Sequence, residues 1–301
     1  MQSLRLFILL CTILISGCTP TGNSGEKARV LVTTGMIGDA VKYLLGNTAE
    51  VDILMGPGVD PHLYKASQGD MRRISEARLL VVNGLHLEGK MTETFERLAE
   101  TKPVIFAGKG IPTPALLPIQ GSKNLYDPHI WLDVARWSEG VAYIGRQLCI
   151  NFTEDSAVIR QRLNTYLDSL GKLDKWCRLY LNEIQPDQRV LITSHDAFQY
   201  FGRAYGFKVK GLQGISTVSE YGLRDIREMV NFICDRKIKA VFVESSVPEQ
   251  SIRAVIEGCQ ARGHQLNKGG TLFSDAVGAD GSYFSMVRHN VATIKEALSQ
   301  P

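Results

Sequence analysis

From residue 28 onward, short apolar runs alternate with stretches in which apolar residues recur every three or four positions. Residues 29–33, 51–55, 79–83 and 103–107 are β-rich runs of the length of a buried strand. The amphipathic pattern between them predicts helices over 37–45, 68–77 and 91–100. Residues 109–127 are rich in Pro and Gly and read as loop. Helices are predicted next over 134–149 and 154–184, the second carrying Ile159, Leu163, Leu167, Leu170, Leu173, Trp176, Leu179 and Tyr180 at helical steps. Thr153 and Ser156 offer it a cap, and Pro186 lies beyond its end. The alternation then resumes, with strands at 189–193, 207–211, 240–244 and 270–273 and helices at 197–205, 221–236, 250–262 and 283–298.

This order predicts an α/β fold whose parallel strands are covered by helices on both faces. Some thirty residues of helix reach about 45 Å, more than a connection inside one small domain requires. The predicted architecture is therefore two β/α lobes joined by a single long rigid helix, with a cleft between them. The expected boundaries are an N-terminal lobe at 28–152, a linking helix at 153–185 and a C-terminal lobe at 186–301.

The N-terminus reads as an address. Arg5 precedes an apolar run from Leu6 to Ile15, too short to span a bilayer but suited to a signal-peptide core. Leu14-Ile15-Ser16-Gly17-Cys18 is similar to a bacterial lipobox, which assigns 1–17 to a signal peptide and Cys18 to lipidation. Residues 18–27 are a polar, flexible tether. Acyl chains, at about 0.8 kcal/mol per buried methylene, would hold an exported protein on a membrane without a spanning segment. Of the six cysteines, Cys11 leaves with the leader and Cys18 is acylated. Cys149, Cys177, Cys234 and Cys259 remain, and whether they pair is open; no CxxC indicates a zinc ribbon or a thioredoxin site. The balance of 34 basic against 31 acidic residues gives +3, which excludes a disordered acidic chain and offers no nucleic-acid footprint.

Candidate chemistry follows the strands, where open α/β sheets bind their ligands. His62 comes after the second strand, His129 ends the Pro/Gly-rich loop, His195 follows the fifth strand and Asp275 follows the eighth. Three imidazoles and a carboxylate suit a borderline divalent metal. They lie far apart in sequence, unlike a local motif, so residue pattern alone leaves each histidine equally readable as a loop or capping residue.

The motifs around them carry more. Gly56-Pro-Gly-Val-Asp-Pro-His62, Asn83-Gly-Leu-His-Leu-Glu88, Asp127-Pro-His-Ile-Trp131, Ser194-His-Asp-Ala-Phe-Gln-Tyr-Phe201 and Glu244-Ser-Ser-Val-Pro248 occur in that order. The chain thereby resembles the metal-binding solute-binding proteins of bacterial ABC importers, the TroA-like or ZnuA-like branch that takes zinc and manganese. The resemblance implies a metal buried between two lobes, held by His62, His129, His195 and Asp275, and delivered to a permease with a cytoplasmic ATPase. It implies one divalent ion (zinc or manganese, with iron admissible), a monomer, and an exported location at a bacterial membrane. Two departures refine it: residues 109–126 lack the histidines of a zinc-specific loop, and His195 stands where manganese-specialised relatives often carry Glu.

Asp60, Asp127 and Asp196 adjoin the ligand histidines and are candidates to orient an imidazole through its other nitrogen; Glu244, at a strand end, is a fourth. His86 is not a family ligand and is readable equally as a cleft-rim or supporting residue and as a merely exposed one, while His264 and His289 are read as non-ligands. The rival functions are a zinc metalloenzyme and a metal-stabilised adhesin lipoprotein. No GxxxxGK[ST] phosphate loop is present, and four protein ligands favour holding an ion over activating a water.

Overall fold

Strand β1 (Ala28–Val32) carries apolar side chains on both faces, and the faces meet different cores. Val30 and Val32 enter one cluster, Leu31 another. Strand β3 (Leu79–Val82) alternates in the same way, Leu79 and Val81 against Leu80 and Val82, as the two-residue period of a strand requires. With β2 (Ala49–Ile53) and β4 (Val104–Phe106) they form a parallel sheet of order β2-β1-β3-β4. Helix α1 (Gly35–Leu45) covers one face. Helices α2 (Gln68–Glu76) and α3 (Thr92–Leu98) supply Ile74 and Phe95 to the other. A capping box starts α2, in which Ser67 Oγ accepts from the Asp70 amide at 3.2 Å and the Ser67 amide donates to Asp70 Oδ2 at 3.0 Å.

The computed structural model describes residues 27–299, so the signal segment, Cys18 and the tether up to residue 26 lie outside the described residues. Among the described residues no helix is long and apolar enough to cross a membrane.

Helix α4 (Val134–Asn151), capped by Asp133, packs along α5 (Ser156–Leu181). The 26 residues of α5 reach about 39 Å. Its buried stripe is Ile159, Leu163, Tyr166, Leu170, Leu173, Cys177 and Leu181. Leu179, expected in that stripe, is 74% exposed, because it falls on the opposite side of the helix from Cys177 and Leu181. The cap expected from Thr153 and Ser156 is also absent: the first turn closes through the backbone, Ile159 N to Asp155 O at 3.0 Å.

The second lobe runs β5 (Val190–His195), α6 (Gln199–Tyr205), β6 (Lys208–Gln213), α7 (Leu223–Asp235), β7 (Ala240–Glu244), α8 (Gln250–Ala261), β8 (Asn267–Leu272) and α9 (Tyr283–Leu298). Strand β5 pairs with β6 and β7 with β8, both in parallel, and the pairs lie flank to flank through β5 and β7. Several boundaries differ from the pattern-based ones, two of them with a clear local cause. Strand β5 continues through His195, whose partner across the ladder is Gln213. Strand β8 begins at Asn267, in a segment poor in β-formers, because its glycines suit a bulge opposite Val241 and Phe242.

One apolar cluster runs from Val30 and α1 through α4 and α5 to Leu191, Tyr200, Phe242 and Ile294. The long helix is thus embedded in a core common to both lobes, which opposes wide hinge opening. All eight strands are parallel within their sheets, and the loops at their carboxyl ends bring the candidate residues into the cleft. Gly211 is essential to this packing. A Cβ there would stand 2.4 Å from the amide nitrogen of Asp196, directly after His195. Gly211→Ala should lower stability by about 1–3 kcal/mol in urea unfolding and weaken metal binding in the same preparation.

Candidate metal centre

Each of the four candidates stands on a different segment. His62 stands on the 54–67 loop after β2, His129 at the end of the 107–129 segment, His195 at the last position of β5, and Asp275 just after β8. All four are buried, with one donor atom from each lying within 4.8 Å of the others. His129 Nε2 is 3.3 Å from His62 Nε2 and 3.4 Å from His195 Nε2. Asp275 Oδ1 lies 3.3 Å from His129 Nε2, and Oδ2 the same distance from His195 Nε2. Ligands at the 2.0–2.1 Å reach of zinc–nitrogen bonds stand about 3.3–3.4 Å apart along the edges of a tetrahedron. The donor set therefore has the spacing of a cation's inner shell.

Two carboxylates set the imidazoles from behind. Asp127 Oδ1 is 2.7 Å from His129 Nδ1 and also accepts from the His129 amide at 2.9 Å. Glu244 Oε2 is 2.5 Å from His195 Nδ1, while Oε1 accepts from the His195 amide at 2.8 Å. A carboxylate at Nδ1 selects the tautomer whose Nε2 lone pair points inward and raises the basicity of that nitrogen. Asp60 and Asp196, expected in the same role, meet other groups. Asp60 accepts from the His62 amide at 2.8 Å and from Thr217 Oγ1 at 2.6 Å, a bond between the lobes. Asp196 accepts from Gln199 Nε2 at 2.7 Å. Neither is bonded to a ring nitrogen of the histidine it neighbours. His62 Nδ1 has no hydrogen-bond partner among the described residues.

Further buried residues support the site. Glu88 is buried and accepts from the amides of Asn83 at 2.6 Å and Gly84 at 3.1 Å, and from Thr33 Oγ1 at 2.8 Å. It holds a turn in which Gly84, Leu85 and His86 all have positive φ, a conformation costing about 1 kcal/mol or more at each non-glycine residue. Asn83 Nδ2 in turn donates to Pro128 O at 3.1 Å, beside His129. Ser246 Oγ is 3.3 Å from Asp275 Oδ2. Trp131 Nε1 donates to Ser274 O at 2.7 Å, and its ring packs edge-on to His129 at 5.3 Å. Asn83, Glu88, Trp131 and Ser246 all lie inside the sequence motifs; of these Asn83 and Ser246 also stand within two positions of a strand end, which was the signal available for them.

A cleft of about 890 Å³ opens beside the cluster, lined by His62, His86, Tyr126, Asp127, Asp196 and Ser216. Of the four donors only His62 lines it. The remaining histidines lie elsewhere: His264 Nε2 is 2.6 Å from Ile238 O and His289 Nε2 is 2.8 Å from Thr271 O.

Electrostatics separates the imidazoles. Burial pushes His62 down to about 3, and the neighbouring imidazoles His129 and His195 add to that. Burial also opposes charge on His129, but Asp127 and Asp275 outweigh it and raise the ring to about 10. His195 is raised in the same way by Glu244 and Asp275 against its burial. Burial opposes ionisation of Asp275, yet His195 and His129 hold it well below the usual carboxylate range. Without a metal, the carboxylates favour protonation of His129 and His195, while burial favours the neutral form of His62.

A family model for ZnuA, zinc-uptake complex component A, periplasmic, matches residues 30–297. The chain belongs to this family. The manganese-binding lipoprotein MntA of Bacillus subtilis (strain 168) is 44% identical over 305 residues, covering 99% of each chain. The solved structure of the periplasmic zinc-binding protein TroA from Treponema pallidum has a TM-score of 0.89 at 43% identity, covering 91% of this chain and 100% of that one. The Fe(III)-bound YtgA from Chlamydia trachomatis has a TM-score of 0.80 at 26% identity, covering 90% and 98%. Family membership accords with the two-lobed α/β fold and the long linking helix.

Because protons and metal compete for Nε2 of His129 and His195, both raised, affinity is lost as pH falls and gained as it rises toward about 10. Between pH 6 and 8 the apparent affinity for zinc should climb roughly tenfold per unit for each proton displaced. Calorimetric heats should depend on the ionisation enthalpy of the buffer. Glu244→Gln should weaken binding by about 10–100-fold with stoichiometry unchanged, measured by competition with a chromogenic chelator.

Proposed function

We propose that this protein is the extracytoplasmic substrate-binding component of an ABC importer. It captures one divalent transition metal ion through His62, His129, His195 and Asp275 and delivers it to a membrane permease coupled to a cytoplasmic ATPase. The observation that carries this reading is the convergence of four buried donors, two from each lobe, at the spacing of one cation's shell. Relatives named for manganese, zinc and Fe(III) binding support it. Members of the family are substrate-binding proteins of importers, and this chain is no enzyme: its four protein donors hold an ion rather than present a bound water to a substrate.

Three imidazole nitrogens favour zinc over manganese and iron in the test tube. Asp275 can offer both oxygens, giving the larger shell that manganese and iron accept. Metal supply then decides the cargo among zinc, manganese and iron. Asp127 and Glu244 keep His129 and His195 inward. The ion enters and leaves past His62, the donor facing the cleft and the one imidazole of the three without a carboxylate at Nδ1. Release proceeds by small lobe movement and rearrangement of the loops bearing His62 and Asp275, since the common core resists more.

The mature protein is a monomer tethered to a bacterial membrane by acyl chains on Cys18, after removal of residues 1–17. Its lobes are 28–152 and 186–301, with 153–185 as the link; the extent of α5 supports that division.

His195→Ala should lower zinc affinity at least a thousandfold in calorimetry while far-UV circular dichroism stays unchanged, and an unaltered affinity would contradict the ligand set. Elemental analysis of protein isolated from its native source should find one transition-metal equivalent per chain. Cys18→Ser should shift the protein from the membrane to the soluble fraction of the cell envelope with metal binding intact.

A further inference from the structure

Helices α7 and α8 pack tightly at their C-terminal halves. A Cβ on Gly258 would stand 2.7 Å from Val230 Cγ2, and further along Arg262 Nη1 donates to Asn231 Oδ1 at 2.7 Å and pairs with Asp235 at 3.6 Å. Between these contacts lie Cys234 and Cys259, the Cys234 thiol being the hydrogen-bonding neighbour of the Cys259 thiol. Cys259 is fully buried in the core of the second lobe, and Cys234 packs against that core while remaining partly exposed. The other two cysteines among the described residues are placed apart: Cys149 Sγ donates to Ser156 O at 3.5 Å, and Cys177 sits in the buried stripe of α5. Neither Cys234 nor Cys259 has a part in the metal centre, and no metal-capable group among the described residues includes them.

The geometry points to a disulfide-forming site, Cys234–Cys259, that clamps α7 to α8. Its occupation in the cell rests on the extracytoplasmic location proposed above, where thiol oxidants persist. The co-reactant is a disulfide oxidant, R–S–S–R. The thiolate of Cys234 attacks one sulfur, forming Cys234–S–S–R and releasing one R–SH. The thiolate of Cys259 then attacks the Cys234 sulfur, forming the protein disulfide and releasing the second R–SH. Two protein thiols are oxidised, one external disulfide is reduced, and the two thiol protons leave on the two R–SH molecules. Burial, with Cys234 beside it, pushes the Cys259 thiol up to about 12, so Cys234 is the entry point.

The helices so clamped flank β7, whose last residue is Glu244, and α7 follows the loop that carries Thr217. The crosslink closes a loop of about 25 residues, and its reduction should lower the thermal midpoint by about 5 °C while changing zinc affinity less than twofold.

The test incubates the purified protein with oxidised glutathione, alkylates it in denaturant and maps the peptides without reduction. The expected result is a Cys234–Cys259 crosslinked peptide in most molecules, with Cys149 and Cys177 alkylated. Four alkylated thiols, or glutathione retained on Cys234, would overturn the proposal. Cys234→Ser, at the partly exposed position, should abolish the crosslinked peptide and leave Cys259 alkylated, with no other pair replacing it. The same map on protein recovered from the native cell envelope separates the two readings. A pair that closes with glutathione but is reduced in the envelope sample upholds the site and counts only against the oxidising location.

Discussion

Three imidazole nitrogens and a carboxylate cannot crowd a dry point for nothing. At 3.3–3.4 Å their lone pairs and charge repel or go unsatisfied unless a proton or a metal ion sits among them. Buried polar atoms without partners are costly, and Asp275 Oδ1 and His62 Nδ1 lack any hydrogen bond among the described residues. The rest of the molecule serves to keep this arrangement in place. Asp127 and Glu244 fix two rings, Glu88 braces the turn beside them, and Trp131 ties the His129 segment to the strand end bearing Asp275.

The same arrangement explains how a tightly held ion can be let go. His129 and His195 have carboxylate partners that favour protonation once the metal leaves, so the empty site is compensated rather than left as bare lone pairs. His62 has no such partner and faces the open cleft. Its loop is joined to the other lobe through the Asp60–Thr217 hydrogen bond. Under the proposed function, holding and release fall to different donors within one shell, while the apolar core around α5 keeps the lobes from separating widely.

Much of the fold was legible because both strand faces and helix stripes leave a periodic imprint. The eight strands and the long helix follow from local apolar spacing, with errors of two or three residues where pairing overrides composition. Strand β8 starts in Asn-Lys-Gly-Gly, which no propensity favours, because the neighbouring strand tolerates a bulge there. Leu179 shows the opposite error, an apolar residue at a plausible step that the helix turns to solvent. Within the site, Asp60, Asp127 and Asp196 were indistinguishable by position. Only the direction in which each loop enters the cleft separates Asp127, which reaches a ring nitrogen, from Asp60 and Asp196, which meet Thr217 and Gln199.

The linear chain by itself determined the alternation of strands and helices and the residue types able to bind a transition metal, because these rest on local hydrophobicity, turn chemistry and side-chain donors. Its motifs also carried the family likeness. The tertiary structure alone decided that four donors on separate loops reach one point, which carboxylates orient the rings, that Glu88 is buried beneath them, and that Cys234 and Cys259 adjoin. Those are distances between residues remote in sequence, and they are settled by how sheets and helices pack rather than by any local preference.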